Sequence, residues 1–501
     1  MTYPLTGANS VSTTMEYDQY GNPTLVTDAK GNQTQVTYGA VNGPNGAVYG
    51  LYPTETVAAY GTAIARTSTA EYDFHTGLVT SATDVDNNVT NATEYDALGR
   101  PVKAIAAVGT PLEIWTQTEY DDINRRVVVR SDLAGLGDGR RVATQFYDQL
   151  GRVRLSRTLE NAATEDPYIE THGIKVETRY STGNPNSYQL TSNPFRAAYA
   201  SQAANEPTMG WTRSKSINTG RHSEVETFSG SALPAPWGSN TISTGIVQTD
   251  SDADRTLVTD QAGKQRISRT NALGQLKDIW EIMSASDSST ESVTFPNTSI
   301  AYGYKTNYSY DTLNNLTAVN QGVQTRSFVY DSLSRLKSAT NPESGLIQYS
   351  YDNNSNLTSK VDARNITTSY AYDALNRVTA RNYSDGTTPN VSYTYDDISI
   401  PFSKGKLTKV SNSVSETRYT GFDILGRVLS SQQITDGQTY SSAYAYNLSG
   451  ALVEQTYPSG RVVKNTLDVD GDLAQVQSKK VNDTFKNYAN SFTYNAAGAV
   501  R

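Results

Sequence analysis

The stretch Tyr95-Asp96-Ala97-Leu98-Gly99-Arg100 decides the fold, because it recurs along the chain. Close copies are Tyr147-Asp148-Gln149-Leu150-Gly151-Arg152, Tyr372-Asp373-Ala374-Leu375-Asn376-Arg377 and Phe422-Asp423-Ile424-Leu425-Gly426-Arg427. Looser copies begin at Tyr17, Tyr72, Tyr120, Tyr310, Tyr330, Tyr351, Tyr446 and Tyr494. Between Tyr310 and Tyr372 the successive copies are 20, 21 and 21 residues apart. Self-similarity at a fixed period indicates a repeat protein.

Each period also contains a second turn, and the residues between the two turns alternate. Asp28-Ala29-Lys30-Gly31-Asn32 and Tyr457-Pro458-Ser459-Gly460 are examples of the second turn. Ile347-Gln348-Tyr349-Ser350-Tyr351 and Thr367-Thr368-Ser369-Tyr370-Ala371-Tyr372 alternate with the period of a β-strand. Two strands and two turns per repeat predict one β-hairpin each, and therefore an all-β fold of tandem hairpins.

The glycine and aspartate of the motif suit a tight turn. The fourth position after the tyrosine is glycine in the three fullest copies and asparagine in others, which predicts a backbone with positive φ. The glycines are Gly99, Gly151 and Gly426, and the asparagines are Asn376, Asn124 and Asn314. We expect the aspartate to accept backbone N–H groups in an Asx turn.

The leucine and arginine of the motif are predicted to pack. The leucine at the third position after the tyrosine is expected to fill the inner face of the sheet; it is Leu98, Leu150, Leu333, Leu375 and Leu425. The arginine at the fifth position is expected to lie across a neighbouring tyrosine ring or to pair with the next aspartate. It is Arg100, Arg152, Arg335, Arg377 and Arg427.

Composition fits a thin sheet and excludes several function classes. The 501 residues include 34 Tyr against 10 Phe, and a tyrosine ring can pack while its hydroxyl is hydrogen-bonded or hydrated. A net charge of −8 argues against a nucleic-acid partner, which needs a basic face. The absence of Cys excludes disulfides and thiolate sites. We find no apolar stretch long enough to span a membrane, and Met1-Thr2-Tyr3-Pro4-Leu5-Thr6 has no signal-peptide features.

The regularity of the pattern divides the chain into three parts: repeats over 1–160, degenerate repeats with longer loops over 161–300, and regular repeats over 301–501. We expect the middle loops, including the polar run 284–290, to pack on the outside. The alternative is an aromatic carbohydrate-binding surface that uses Trp211 and Trp280, since sugars stack on tryptophan.

Motifs for catalysis or cofactor binding are missing from the sequence. His75, His172 and His222 have no metal-ligand spacing, and we interpret them as loop residues. Asp468-Val469-Asp470-Gly471-Asp472 resembles a calcium loop but has Lys479 where the twelfth-position glutamate belongs. We therefore expect no catalytic residues, no metal and no cofactor.

The repeated motif resembles the YD repeats of the Rhs family, which also occur in the C components of insecticidal Tc toxins and in teneurins. The resemblance is strong over 1–160 and 301–501. It implies an elongated β-sheet that spirals into a hollow shell. In relatives the shell encloses a C-terminal polypeptide, often a toxin, or serves as an extracellular scaffold. The family's Asp-Pro-x-Gly-Leu motif is absent, since Asp166-Pro167 continues with Tyr-Ile.

The first functional hypothesis is therefore a non-catalytic shell segment that encapsulates or presents a C-terminal toxin or effector. Its partners would be that C-terminal core region, which we expect beyond this sequence, or components of a secretion system. The second hypothesis is a cell-surface adhesion or carbohydrate-binding scaffold with glycan partners. A hydrolase in the irregular middle is a third, for which no residue set is found. The first two hypotheses imply a secreted or cell-surface protein, and the sequence ends partway through a repeat, as expected of a fragment.

Overall fold

The structure is a computed structural model that describes residues 2–4, 10–183, 185–217, 220–283, 290–295 and 301–501. Of the polar run predicted as a loop, 284–289 lie outside the described residues. Within these residues, strands make up nearly all of the regular structure, together with one 3₁₀ turn at Ala200–Gln202. The predicted all-β fold is confirmed.

Forty-two strands follow one another along the described residues. In the first part they are β1 (Thr2–Pro4), β2 (Ser10–Ser12), β3 (Thr14–Tyr17), β4 (Pro23–Thr27), β5 (Gln33–Thr37), β6 (Val41–Gly43), β7 (Gly46–Val48), β8 (Glu55–Ala58), β9 (Arg66–Tyr72), β10 (Val79–Asp84), β11 (Val89–Tyr95), β12 (Pro101–Ala106), β13 (Ile114–Asp121), β14 (Arg126–Ser131), β15 (Arg141–Tyr147) and β16 (Val153–Thr158). In the middle they are β17 (Ile174–Thr182), β18 (Asn186–Ser192), β19 (Gly210–Ile217), β20 (His222–Ser229), β21 (Ser243–Asp252), β22 (Arg255–Thr259), β23 (Gln265–Thr270), β24 (Leu276–Met283) and β25 (Glu291–Val293). In the last part they are β26 (Ala301–Tyr310), β27 (Leu316–Gln321), β28 (Gln324–Tyr330), β29 (Leu336–Asn341), β30 (Gly345–Tyr351), β31 (Leu357–Val361), β32 (Thr367–Tyr372), β33 (Val378–Tyr383), β34 (Val391–Tyr395), β35 (Leu407–Ser411), β36 (Ser415–Phe422), β37 (Val428–Thr435), β38 (Gln438–Tyr446), β39 (Leu452–Thr456), β40 (Val462–Leu467), β41 (Leu473–Lys479) and β42 (Lys486–Asn490).

Thirty-eight of these strands form one continuous antiparallel sheet that runs from β3 to β42. Each strand pairs with its neighbours in the chain, with two exceptions. β6 and β7 form a separate ribbon. β24 pairs with both β23 and β26, and the short strand β25 also pairs with β26. This order follows directly from tandem hairpins joined by short turns.

The ladder register shifts at the tyrosine that begins each full motif. Tyr95 pairs with Pro101, Tyr147 with Val153 and Tyr372 with Val378, each just beyond a bulge. A bulge adds twist and bends the strand. Its repetition gives the sheet a bend at every repeat.

The sheet returns on itself, so that later repeats lie against earlier ones. The Asn87 side chain donates to the carbonyl of Lys404 at 3.0 Å and accepts from the Lys404 N–H at 3.2 Å, across 317 positions of sequence. Asn354 likewise reaches Asp28, at 2.6 Å and a separation of 326. The two separations are similar, as expected of a winding that takes about 320 residues. This is the spiral that the family resemblance implies.

Three long loops of the middle part cover one face of the sheet. They are 159–173, 193–209 and 230–242. Leu190, Trp211 and Phe228 on the strands pack against Phe195 and Met209 on a loop, and together these form a buried apolar cluster. A second cluster places Trp280 with Ile267 and Phe295. Buried apolar side chains therefore concentrate where loops add a second layer to the sheet. Among the described residues, no helix has the length and apolarity that would let it cross a membrane.

Candidate functional site

The motif aspartate organises the turn in which it lies. Oδ1 of Asp96 accepts the N–H groups of Leu98 and Arg100, both at 2.9 Å, and Oδ2 accepts Nε of Arg100 at 2.8 Å. The backbone and guanidinium of Arg100 hold the pKa of Asp96 below its usual range, since both donate to the ionised form. Asp148 and Asp373 repeat this pattern. The predicted Asx turn is confirmed at these three positions.

The residue at the fourth position has the predicted positive φ. The angle is 77° at Gly99, 74° at Gly151 and 79° at Gly426, and asparagine adopts it at Asn376 (59°) and Asn314 (70°). The prediction for Asn124 is wrong, because in that repeat the left-handed residue is Arg125 at 51°. Oδ1 of Asp121 there accepts the N–H of Asn124, so the turn is one residue longer than in the other copies.

The predicted burial of the motif leucine is wrong for two copies. Leu98 and Leu150 are each 74% exposed. Both lie in the turn beyond the end of the strand, with their N–H groups donated to the motif aspartate, so the strand's alternation does not reach them. The leucines at 333, 375 and 425 are half-buried.

The motif arginine connects each repeat to the next. Arg100 lies over the ring of Tyr120 at 4.2 Å and also reaches the carboxylate of Asp122 at 2.9 Å. Arg377 does the same with Tyr395, at 4.4 Å, and with Asp396, at 2.6 Å. Equivalent contacts place Arg152 over Tyr180, Arg335 over Tyr351 and Arg427 over Tyr446. The predicted stacking is confirmed for all five arginines, and the predicted pairing with the next aspartate is confirmed for Arg100 and Arg377.

The tyrosine hydroxyl completes this connection. Tyr395 donates its hydroxyl to the carbonyl of Val378 at 3.0 Å, and Tyr120 donates to that of Pro101 at 3.2 Å. In both cases the acceptor follows the stacked arginine directly in sequence. The same bond runs from Tyr95 to Val79, from Tyr180 to Val153, from Tyr372 to Leu357 and from Tyr494 to Leu473. A phenylalanine could stack but could not donate this hydrogen bond, so tyrosine is required at these positions. We call this arrangement the tyrosine clip.

Several turns use asparagine in place of the arginine, which the sequence reasoning missed. The amide Nδ2 of the asparagine donates to the second oxygen of the turn aspartate. The pairs are Asn22 with Asp18 at 3.0 Å, Asn32 with Asp28 at 2.8 Å, Asn315 with Asp311 at 2.9 Å and Asn356 with Asp352 at 3.1 Å. The signal was present, because each asparagine stands four residues after its aspartate.

Turns from the two windings meet along what we call the seam. Besides the contacts of Asn87 and Asn354, Nζ of Lys30 pairs with Asp352 at 3.0 Å. Farther along, the N–H of Ser449 donates to the carbonyl of Leu133 at 3.2 Å. The seam is polar and made of turn tips, so the periodic pattern of the strands could not indicate it. It closes the wall between successive windings.

Asp470 and His222 are titratable groups outside the motif whose pKa is raised by their surroundings. Burial and the neighbouring Asp468 raise the pKa of Asp470 to about 7. The described residues contain no cluster of three potential metal ligands. His222 begins β20 rather than lying in a loop, and its ring nitrogens face Asp250 at 2.6 Å and Glu224 at 2.9 Å.

The two tryptophans of the alternative, carbohydrate-binding hypothesis are in the interior. Trp211 is 1% exposed and Trp280 is 5% exposed. Trp211 belongs to the cluster under the middle loops and Trp280 to the cluster completed by Val293 and Phe295, so neither ring offers a face to a sugar. Trp211 lies on β19 and Trp280 on β24, and the segments that cover them leave no periodic signal in the sequence.

Two family models match parts of the chain, mostly within residues 301–501. One, described as RHS Repeat, matches residues 351–388, and one described as Teneurin YD-shell matches residues 277–362. No curated protein matches the sequence.

Solved structures share the fold over the whole chain. The crystal structure of TcdB2-TccC3 matches with a TM-score of 0.67 at 14% identity, covering 100% of this chain and 28% of the other. TcdB2-TccC3-TEV matches with a TM-score of 0.70 at 14% identity, covering 99% and 30%. The Tc holotoxin pore of Photorhabdus luminescens matches with a TM-score of 0.64 at 13% identity, covering 99% and 30%. The chain thus spans less than a third of these chains.

Proposed function

Because the chain is a repeat protein of the RHS/YD kind, we propose that it forms the wall of a hollow shell around a C-terminal toxin or effector polypeptide. The role is structural: the motif residues hold the wall together and take no part in chemistry. The cargo would be the chain's own C-terminal region. Such a shell acts outside the cell that makes it, as a secreted or cell-surface protein, and components of a secretion system are further candidate partners.

The seam is the observation that carries this proposal. An open sheet of hairpins presents only a surface, whereas a sheet whose second winding bonds to its first can separate an inside from an outside. Lys30 with Asp352, Asn87 with Lys404 and Leu133 with Ser449 lie at successive points along that boundary. The tyrosine clips add continuity within each winding.

Cross-linking tests the winding. A carbodiimide joins an ammonium to a carboxylate without a spacer, so treatment of the native chain should yield a Lys30–Asp352 cross-link, found by mass spectrometry of peptides. Lys215 and Glu224 on neighbouring strands are the positive control, because their ion pair has the same 3.0 Å distance. Lys30→Gln removes only the long-range product. Recovery of the control cross-link without the Lys30–Asp352 product would contradict the winding.

Protection from proteolysis tests the encapsulation. An unstructured reporter polypeptide fused after Arg501 should be cleaved about tenfold more slowly than the same reporter on a flexible linker, as long as the shell stays closed. Partial unfolding of the shell should remove the protection. Equal cleavage rates for the two reporters would reject encapsulation while leaving the winding intact.

A further inference from the structure

A cavity of about 530 Å³ opens between the middle strands and their covering loops, at a place that the shell role does not explain. Its floor includes Leu155 on β16 and Glu177 and Arg179 on β17. Its walls come from the loops, through Glu170, Tyr199 and Trp237. Concave sites that combine aromatic rings with a few convergent polar groups are the usual form of a ligand-binding site.

Two aromatic rings lie at this cavity on loops that the structure holds in place. Tyr199 is 59% exposed, and Trp237 is half-buried and makes a T-shaped contact with Tyr188, at 6.4 Å between ring centroids. Nη1 of Arg213 anchors the Trp237 loop by donating to the carbonyl of Ala235 at 2.9 Å. These rings, unlike those of Trp211 and Trp280, have faces that a ligand could contact.

The charges that line the cavity are nearly but not fully balanced. Three arginines pair with three carboxylates: Arg152 with Asp148, Arg154 with Glu170, and Arg179 with Glu177. Lys175 is the fourth cation among the lining residues; it is 1% exposed, and within the described residues its hydrogen-bond partners are backbone carbonyls. Its Nζ donates to the backbone carbonyls of Thr171, Gly173 and Arg196 at 2.9, 2.6 and 3.1 Å.

The surroundings of Lys175 lower the pKa of its ammonium group. Its burial, and then the nearby Arg157, lower its pKa to about 8. Arg179 uses Nε for Glu177 at 2.6 Å, and within the described part of the chain its two terminal nitrogens have no hydrogen-bond partner. The lining therefore has four cationic side chains against three carboxylates, and the group that offers donors to a ligand is the guanidinium of Arg179.

We propose that this cavity binds an acidic sugar of a glycan chain, with its ring against Trp237 or Tyr199 and its carboxylate on Arg179. The ion pairs supply donors and acceptors side by side, which suits sugar hydroxyls that both donate and accept. A multiply charged phosphate ligand fits less well, because Asp148, Glu170 and Glu177 would repel it. Carbohydrate binding is thus proposed at accessible rings and not at the buried tryptophans Trp211 and Trp280. This proposal does not depend on encapsulation.

Calorimetry and ligand-observed NMR on the full chain test the proposal. The probe is a tetrasaccharide of alternating glucuronic acid and N-acetylglucosamine, compared with the same compound after its carboxylates are reduced to alcohols. Trp237→Ala and Arg179→Gln should each weaken binding about tenfold, which corresponds to about 1.4 kcal/mol. The reduced compound should bind the native chain as weakly as the acidic one binds Arg179→Gln.

Matched variants keep the result interpretable. Arg364→Gln removes a guanidinium that, like Arg179, pairs with a carboxylate two residues before it, and it should leave binding unchanged. Tyr199→Ala alters an exposed side chain, so the variant should fold even if Trp237→Ala does not. Absence of binding at millimolar probe, equal binding of the reduced compound, or unchanged affinity in both Arg179→Gln and Tyr199→Ala would each overturn the proposal.

Discussion

The regular repeats after Ala301 and the middle strands between Ile174 and Met283 stabilise the same thin sheet in different ways. Few side chains of the regular repeats are fully buried, and neighbouring hairpins are held by tyrosine clips and turn aspartates. The middle strands are covered by loops and have apolar clusters around Trp211 and Trp280. A single-layer sheet has little apolar surface to bury, so directional polar contacts must replace a core.

The ionic contacts differ between the two regions as well. In the regular repeats an arginine pairs with the aspartate four residues before it, inside one turn, as Arg377 does with Asp373. In the middle, ion pairs cross between strands, as with Arg213 and Glu226 or Lys215 and Glu224. A contact inside a turn can be copied with each repeat, whereas a contact between strands depends on the particular pair. The first type is therefore periodic in sequence and the second is not.

Truncation of a core ring should have the largest effect, and only in the middle. Trp211→Ala should destabilise the covered region by about 3–5 kcal/mol, because it leaves a cavity among Leu190, Phe195 and Phe228. Tyr440→Ala in the regular repeats removes a ring that is 47% exposed and should cost less than about 0.5 kcal/mol. Hydrogen exchange measured by region separates the two. Similar losses of protection in both variants would contradict the two-layer interpretation.

Substitution of the left-handed turn residue should have the second-largest effect on stability. Gly151→Val should cost about 1–3 kcal/mol, because a β-branched residue is forced to a φ of 74°. The added Cβ itself would meet nothing within 4 Å, so the cost reports the backbone alone. Gly151→Asn is the matched control and should cost much less, as asparagine already holds this position at Asn376. If the thermal melts of the two variants coincided, the positive φ would not be the reason why glycine occupies this position.

Local features of the fold could be predicted from sequence, and distant ones could not. Residues within or next to one repeat determine the positive φ of Gly99, the Asx turn of Asp96 and the stacking of Arg100. Because the motif is repeated, a comparison of its copies indicates these roles. The seam depends on pairs such as Asn87 and Lys404, separated by 317 residues, and a backbone carbonyl as acceptor leaves no trace in sequence. The burial of Trp211 depends on loops without any period.

Removal of one hydroxyl from a tyrosine clip should have a smaller effect. Tyr372→Phe keeps the ring but loses the 2.9 Å bond to the carbonyl of Leu357, and it should cost about 0.5–1.5 kcal/mol. Tyr370 is on the same strand, and its hydroxyl has no hydrogen-bond partner in the described part of the chain, so Tyr370→Phe is the matched control. Denaturant unfolding followed by hydrogen exchange at β31 to β33 measures the difference. Equal stability of the two variants would show that the hydroxyl hydrogen bond of the tyrosine clip does not stabilise the regular repeats.

The smallest expected effect is a pH dependence that belongs to the middle region. Asp250, and then Glu224, raise the pKa of His222 by accepting hydrogen bonds from its ring. The folded pKa therefore lies above the unfolded value of about 6.5, so the contribution to stability is full below about pH 6.5 and is lost as the pH rises through the folded pKa.

His222→Gln should accordingly lower stability by about 0.2–1 kcal/mol near pH 6 and by less near pH 9, since the ring is partly exposed and the pairs are screened. Asp250→Asn is the control, because the pH dependence of the His222→Gln effect should shrink in that background. Denaturant melts of the four proteins at both pH values measure this. A difference between the native chain and His222→Gln that stays constant with pH would assign His222 to packing alone, without an ionic contribution from Asp250 and Glu224.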